Sequence, residues 1–265
     1  MKLTNKDHTF VICAYQESPY LEQCILSLKK QSVKSNIIMV TSTNTELIQK
    51  MAQKYKIPLY INTGEKGITQ DWNFGIDKAD TPLVTIAHQD DVYCRDFTEQ
   101  VLKKANTSKR PLLIFTDYGE LRDGNRVKNN KLLKIKRMML IPLECPMMAG
   151  SRLVRRRILS FGSPISCPTV TYYKPNLLLP VFEDGFTCSE DWQAWEKISK
   201  LHGDFLYCKE LLVYHRIHRN STTSKMIQGT GRSVEDYLMF LKFWPVPIAR
   251  LLTKCYAYSE KSNEL

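Results

Sequence analysis

The chain opens with alternating blocks of apolar and amphipathic positions. His8 to Tyr15 (HTFVICAY) is an apolar, β-rich run of strand length. Ser18 to Ser32 (SPYLEQCILSLKKQS) then places Leu21, Cys24, Ile25 and Leu28 at helical spacing. Ser18 and Pro19 make a helix entry, with serine as N-cap and proline in the first turn. NIIMVTST repeats the strand and TELIQKMAQKY the helix, and PLYIN supplies a third strand before a loop holding Gly64 and Gly67. TQDWNFGIDKA is helix-like and leads into a fourth strand, TPLVTIA. Such strand–helix units predict an α/β protein with a mostly parallel, Rossmann-like central sheet flanked by helices.

Further along, RPLLIFTDYGEL reads as another strand and the basic stretch from Arg122 to Arg137 as a mobile loop. RLVRRRIL carries Arg152, Arg155, Arg156 and Arg157 on a helix, followed by a Gly/Pro/Ser-rich loop and a strand. CSEDWQAWEKISKLHG is a helix with Trp192, Trp195 and Ile198 on one side, an acidic first turn, and Gly203 at its end. DFLYCKELLVYHRIH returns as strands. The last stretch is apolar, aromatic and basic, interrupted by Pro245 and Pro247; it reads as a helical tail packed on the rest, with a membrane surface as the alternative contact for Lys242, Arg250 and Lys254.

Composition narrows the class. At 265 residues the chain can bury a full core, and 25% charged with 43% hydrophobic residues excludes wholesale disorder. The eight cysteines are scattered, with no CxxC or zinc-like spacing, as expected of reduced thiols in a cytoplasm. The N-terminus begins a strand within its first ten residues and lacks a signal-peptide layout. No apolar run reaches the roughly 18 residues of a membrane span. Lysine and arginine exceed aspartate and glutamate by 11 (38 against 27), which favours anionic partners: nucleotides, phosphates, a membrane surface or nucleic acid.

Ligands of open parallel sheets bind outside the carboxyl ends of the strands, where AYQES, TSTNT and HQDD fall here. Adjacent Asp90 and Asp91 suit a hard divalent cation, Mn²⁺ or Mg²⁺, that shares its oxygen ligands with phosphates; by residue type alone, a solvated acidic turn is the alternative. Glu190 and Asp191 occupy a helix's first turn, where the macrodipole favours acids whether or not they do chemistry. YHRIHRNSTTS, Tyr214 to Ser224, gathers two histidines, two arginines and several hydroxyls after a strand. It is either a phosphate and metal partner or a basic surface loop.

Taken together, FVICAYQESPYLEQCILSLKKQS, the central QDD after a strand and the later ED at a helix start resemble the family 2 glycosyltransferases of the GT-A fold, over residues 8 to 224. The first segment follows the family's V-x-I-x-x-Y-N-x-x-x-x-L-x-x-C-L-x-S-L-x-x-Q pattern, with Gln16 where Asn is usual. NTGEKGITQDWNFGIDKADTPLVTIAHQDD follows its loop, helix, strand and DxD-type order. The resemblance implies a GT-A catalytic domain over 1–225, with a nucleotide-sugar half (1–120) and an acceptor half (121–225), and a C-terminal helical appendage over 226–265.

It further implies an inverting hexosyl- or rhamnosyltransferase that uses a nucleoside-diphosphate sugar and a glycan or lipid-linked acceptor in cell-surface polysaccharide biosynthesis, in the cytoplasm at the inner face of the membrane. Residue by residue, Ala14, Tyr15, Glu17, Ser42, Asn73, Gln89 and Asp90 would form the nucleotide site. Asp90, Asp91 and His218 would hold Mn²⁺ or Mg²⁺, Arg216 and His218 would close over the diphosphate, and Asp191 would be the catalytic base. Glu190 and Trp192 would meet the acceptor or sugar, with a place in the core as the alternative that helical spacing offers Trp192 and Trp195.

The chain departs from the family at three places. The acidic pair after the second strand reads Thr41-Ser42-Thr43-Asn44, Ala-Arg-Asn reads Asp71-Trp72-Asn73, and His88 replaces the first acid of the DxD-type set. The first two departures would fit an inactive homologue, whereas retention of Asp90, Asp91 and Asp191 argues for activity. A nucleotidyl or sugar-phosphate transferase would want glycines in the loop CAYQESPY, which has none. Nucleic-acid binding through Arg152 to Arg157 would need a binding module, and no such pattern is present, so nucleic acid is not an expected partner.

Overall fold

A computed structural model describes residues 2–218 and 231–261. β1 (His8–Cys13), β2 (Asn36–Thr41), β3 (Leu59–Ile61) and β4 (Leu83–His88) run parallel in the order β3-β2-β1-β4, connected by α1 (Leu21–Lys29), α2 (Glu46–Tyr55) and α3 (Ile68–Lys78). β1 and β4 are buried almost throughout because helices cover both faces of a parallel sheet. α1 buries Leu21, Cys24, Ile25 and Leu28, the positions its periodicity selects. It starts at Leu21, however, and Ser18 Oγ accepts from the Tyr20 amide (3.3 Å), so the serine holds the preceding turn. α3 lies so close to β1 that a Cβ on Gly75 would sit 2.5 Å from Val11 Cγ1. Only glycine permits that approach.

The remaining elements are β5 (Val92–Tyr93), α4 (Phe97–Ala105), β6 (Pro111–Arg122), β7 (Asn125–Val127), α5 (Lys131–Leu140), α6 (Arg152–Leu159), β8 (Val170–Tyr173), α7 (Glu190–Ser199), β9 (Asp204–Ile217), α8 (Gly231–Leu241) and α9 (Val246–Lys261). The sheet continues from β4 through β8, β6 and β9 to β5, with β8 antiparallel to both β4 and β6. β5 follows β4 after a short link, yet it pairs at the far end of this path with β9. The sheet therefore curls until its far edge returns beside the end of β4, and the link from Gln89 to Asp91 bridges the gap.

The stretch from Arg122 to Arg137 is not the expected mobile loop. β6 and β7 form a hairpin through Asp123 and Gly124, both at positive φ (46° and 81°), and α5 follows. Asn130 caps α5 by accepting from the Leu133 amide (2.8 Å), and Leu133 and Leu140, seven residues apart, are its buried positions. Dense lysine and arginine conceal that sparse apolar face in the sequence.

The arginines of α6 largely serve the fold. Arg155, 1% exposed, donates to the carbonyls of Ser199, Leu201 and Gly203 at the end of α7. Arg156 pairs with Glu196 (2.7 Å), and Arg157 lies over the rings of Phe161 and Trp244. The tail packs as helices: Trp192 of α7 meets Phe240 of α8 and Tyr256 of α9, and the Trp244 indole donates to the Ser160 carbonyl (2.7 Å). The expected boundary at 225/226 and residues 219–224 lie outside the described residues. Among the described residues no helix is long and apolar enough to cross a membrane.

Candidate active site

Parallel pairing aligns the carboxyl ends of β1, β2 and β4, with Cys13 opposite both Val40 and His88. The chain leaving β1 is then tied to both neighbours. The Ala14 amide donates to the Val40 carbonyl (2.9 Å), and the Gln89 side chain clamps Tyr15, accepting from its amide (3.0 Å) and donating to its carbonyl (2.9 Å). Gln16 is left-handed (φ 54°) and its amide donates to Thr43 Oγ1 (2.6 Å). That turn leaves Tyr15 51% exposed, with Glu17 exposed beside it.

Ser42 and Asn73 have tasks within the protein. Ser42 Oγ donates to Asp71 Oδ2 (2.7 Å), and Asn62 Nδ2 donates to Asp71 Oδ1 (2.9 Å). Near the end of β2, where the acidic pair is missing, a buried carboxylate thus arrives from α3 instead. Asn73 bonds both the amide and the carbonyl of Phe182, fastening the 180s loop to α3.

The β5–β9 register, Val92 opposite Tyr214, carries Asp91 to His215. His215 Nδ1 lies 3.0 and 3.1 Å from the two oxygens of Asp91, and the Arg216 amide donates to Asp91 Oδ1 (2.8 Å). Asp91 is wholly buried. The Arg216 guanidinium donates to the Asp90 carbonyl (2.8 Å) and to Gln23 Oε1 (2.5 Å), and sits 4.1 Å above the Tyr20 ring. His218 Nε2 is 2.9 Å from Asp90 Oδ2. Sequence reasoning singled out Arg216 and His218 but not His215, whose role depends on the closure of the sheet.

His88 stacks on Trp72 (5.3 Å, 18°), and ligand atoms of His88, Asp90 and Asp91 all lie within 4.8 Å of one another. Burial lowers the His88 pKa and keeps the ring neutral, and its buried Nε2 has no hydrogen-bond partner among the described residues. Burial alone would raise the Asp90 pKa, but the His218 bond and the nearby imidazoles hold it below the usual carboxylate value. Burial likewise disfavours charge on His215, and Asp91 overrides it, raising the imidazole to about 9. A neutral imidazole nitrogen beside two carboxylates suits a divalent cation such as Mn²⁺. His88, Asp90 and Asp91 would hold it, with His218 beside Asp90; the Asp91 oxygens are also engaged by His215 and the Arg216 amide.

The second acid pair begins α7. Burial raises the Asp191 pKa, against an amide bond from Trp192 (2.6 Å) and the charges of Lys136 and Arg232. Burial also lifts Glu190 to about 7, aided by the charges of Asp191 and Glu235 and opposed by a backbone hydrogen bond. Lys136, whose ammonium donates to Tyr118 Oη (3.0 Å), acts electrostatically on both Asp191 and His215. It lies on α5, so reading that stretch as a loop missed it; the seven-residue spacing of Leu133 and Leu140 was the available signal.

Trp192 does not face a ligand. It is 1% exposed, its indole donates to the Leu159 carbonyl (3.0 Å), and its ring packs on the tail. The expected sugar-facing role is therefore corrected to a core role, because its side of α7 is covered by α8 and α9.

No curated protein matches the chain in sequence. In structure it is similar to S. aureus TarS 1-349 in complex with UDP-GlcNAc (TM-score 0.62, 14% identity, 93% of this chain and 70% of that one). It is also similar to the mannosyltransferase PcManGT from Pyrobaculum calidifontis in complex with GDP-Man and Mn²⁺ (0.64, 13%, 95% and 69%). A further likeness is to glucosyl-3-phosphoglycerate synthase from Mycobacterium tuberculosis (0.56, 10%, 89% and 80%). The chain spans 42% of the longer TarS chain. At such identities these likenesses establish a shared fold. Residues 9–161, more than half of the chain, match glycosyl transferase family 2, and the chain belongs to that family.

Proposed function

We propose that the protein is an inverting, metal-dependent glycosyltransferase that moves a sugar from a nucleoside-diphosphate sugar to a hydroxyl of a glycan or lipid-linked acceptor in cell-surface polysaccharide biosynthesis. The observation that carries this reading is the contrast between two acid pairs within a family 2 fold. Asp90 is held ionised among imidazoles, as an ion site requires, whereas at the start of α7 desolvation raises the pKa of both the buried Glu190 and the partly buried Asp191, which favours proton acceptance. The fold neighbours bound to UDP-GlcNAc and to GDP-Man with Mn²⁺ support a nucleotide-sugar donor and a divalent ion.

In this reading the exposed Tyr15 ring stacks on the base and Glu17 meets the ribose, while Ser42, Asn73 and Gln89 shape the pocket by fixing its walls. Arg216 and His218 approach the diphosphate. Mn²⁺ or Mg²⁺ held by His88, Asp90 and Asp91 would supply positive charge against the leaving diphosphate. Asp191 takes the proton of the acceptor hydroxyl as that oxygen bonds to the anomeric carbon, and the carbon–oxygen bond to the diphosphate breaks with its electron pair leaving on the phosphate oxygen. A single displacement from the opposite face inverts the anomeric centre. The net charge of +11, together with exposed Val234, Leu238, Ile248 and Leu251 on α8 and α9, supports a lipid-linked acceptor at an anionic membrane surface.

A thermal-shift panel of UDP, dTDP, GDP and CDP, each with Mn²⁺, Mg²⁺ or EDTA, tests the proposal. A true ligand at 100 times its dissociation constant stabilises by about 2.7 kcal/mol. A metal-dependent shift with one nucleoside diphosphate supports the reading and identifies the donor class. A folded protein that responds to none of them refutes it.

A further inference from the structure

The segment entering α7 is held by the tail. Ser189 precedes α7 but makes no side-chain cap bond. Instead, three consecutive amides converge on one carboxylate, Glu235 of α8. Thr187 donates through its amide to Oε1 (2.7 Å) and through its hydroxyl to the same oxygen (2.8 Å), while the amides of Cys188 (2.8 Å) and Ser189 (3.0 Å) donate to Oε2. Ser189 Oγ adds a bond to the neighbouring Asp236 (3.4 Å). Glu235 is 9% exposed, and the next residues in the chain are Glu190 and Asp191.

An ionised carboxylate is an acceptor-only group with room for four donors, and charge-assisted bonds of this kind are about twice as strong as neutral ones. Four bonds to one buried carboxylate fix the path of three successive residues. That path sets where the first turn of α7 begins, and hence where its acids stand. Glutamine has the same shape but would turn an NH₂ group toward donors.

We infer that Glu235 is a positioning residue for the Glu190–Asp191 pair, so that the C-terminal tail is a working part of the active site. This rests on Asp191 being the base. Catalysis is sensitive to such placement, since an error near 1 Å costs on the order of 100-fold.

The test compares the full chain with Glu235→Gln and Glu235→Asp, using hydrolysis of UDP-GlcNAc and of GDP-mannose with Mn²⁺ as the turnover readout and hydrogen exchange of the 187–192 amides as a second. Glu235→Gln is expected to lower kcat by about 10- to 100-fold with donor KM within about twofold, and to speed exchange at 187–189 while β1 and β4 stay protected. Glu235→Asp, which keeps the charge with shorter reach, should lie between. Unchanged kcat and unchanged exchange in Glu235→Gln overturn the inference, as does a parallel loss of donor binding and protection across the whole fold. If the parent hydrolyses neither donor, that counts against the functional reading, and the exchange data alone then decide whether Glu235 holds the segment. Should Glu235→Gln fail to fold, Glu235→Asp decides by the same two readouts.

Discussion

The link from Gln89 to Asp91 and the start of α7 each present two adjacent acids, and their surroundings drive them apart. Around Asp90 and Asp91 stand His88, His215, His218 and Arg216, and the net effect on Asp90 is a lowered pKa. Around Glu190 and Asp191, burial prevails, and a third acid, Glu235, stands close enough to raise Glu190 further. In the proposed mechanism the same residue types thus serve as a cation-holding pair and as a proton-accepting pair. Environment assigns the roles.

The sharpest way to break this contrast is at Asp191. Asp191→Asn should cut transfer by about 10³- to 10⁴-fold, or about 4–5.5 kcal/mol of barrier, while the nucleotide-dependent thermal shift survives. Equal loss of nucleotide binding in Asp191→Asn and Asp90→Ala would undo the division of roles. Within the first pair, Asp91 and Asp90 should separate as well. Asp91→Ala leaves His215 and the Arg216 amide without their buried partner, and urea unfolding should show a loss of roughly 3–5 kcal/mol.

At Glu190 the effect depends on pH. Its ordinary value is 4.5 and its folded value about 7. Between these, the unfolded chain has released the proton and the folded chain keeps it, so the stability contribution is full below pH 4.5 and is lost as pH rises through 7. The total is about 3 kcal/mol at roughly 1.4 kcal/mol per pH unit. Glu190→Gln should therefore melt progressively higher than the parent from pH 4.5 to 8, and a constant difference would show that the group is not shifted.

The smallest change is expected at Asp90. Asp90→Ala should erase the metal-dependent part of the nucleotide shift, about 2.7 kcal/mol under saturating conditions, with ligand-free stability within about 1 kcal/mol because its His218 pair is partly solvated. A retained Mn²⁺-dependent shift would move the ion site elsewhere.

Much of the first half was legible because its signals are local. A strand of apolar residues followed by a helix with apolar positions three and four apart needs no knowledge of distant chain, and the acids at 90–91 and 190–191 announce themselves by adjacency. The Arg122–Arg137 stretch was misread because two buried leucines among many cations make a weak period. Trp192 was misassigned because helical spacing shows which residues share a face but not what covers that face.

The sequence alone determined the parallel strand–helix units and the identity of the acids, since periodicity and adjacency act within a short window of chain, and its resemblance to family 2 glycosyltransferases carried the GT-A class. Only the tertiary structure decided their partners. Asp91 meets His215, 124 residues away, because the curled sheet sets β5 against β9. Glu235 reaches Thr187 across 48 residues because α8 packs on α7. Burial and charge environment are sums over such distant neighbours, and they exist only once the chain has closed upon itself.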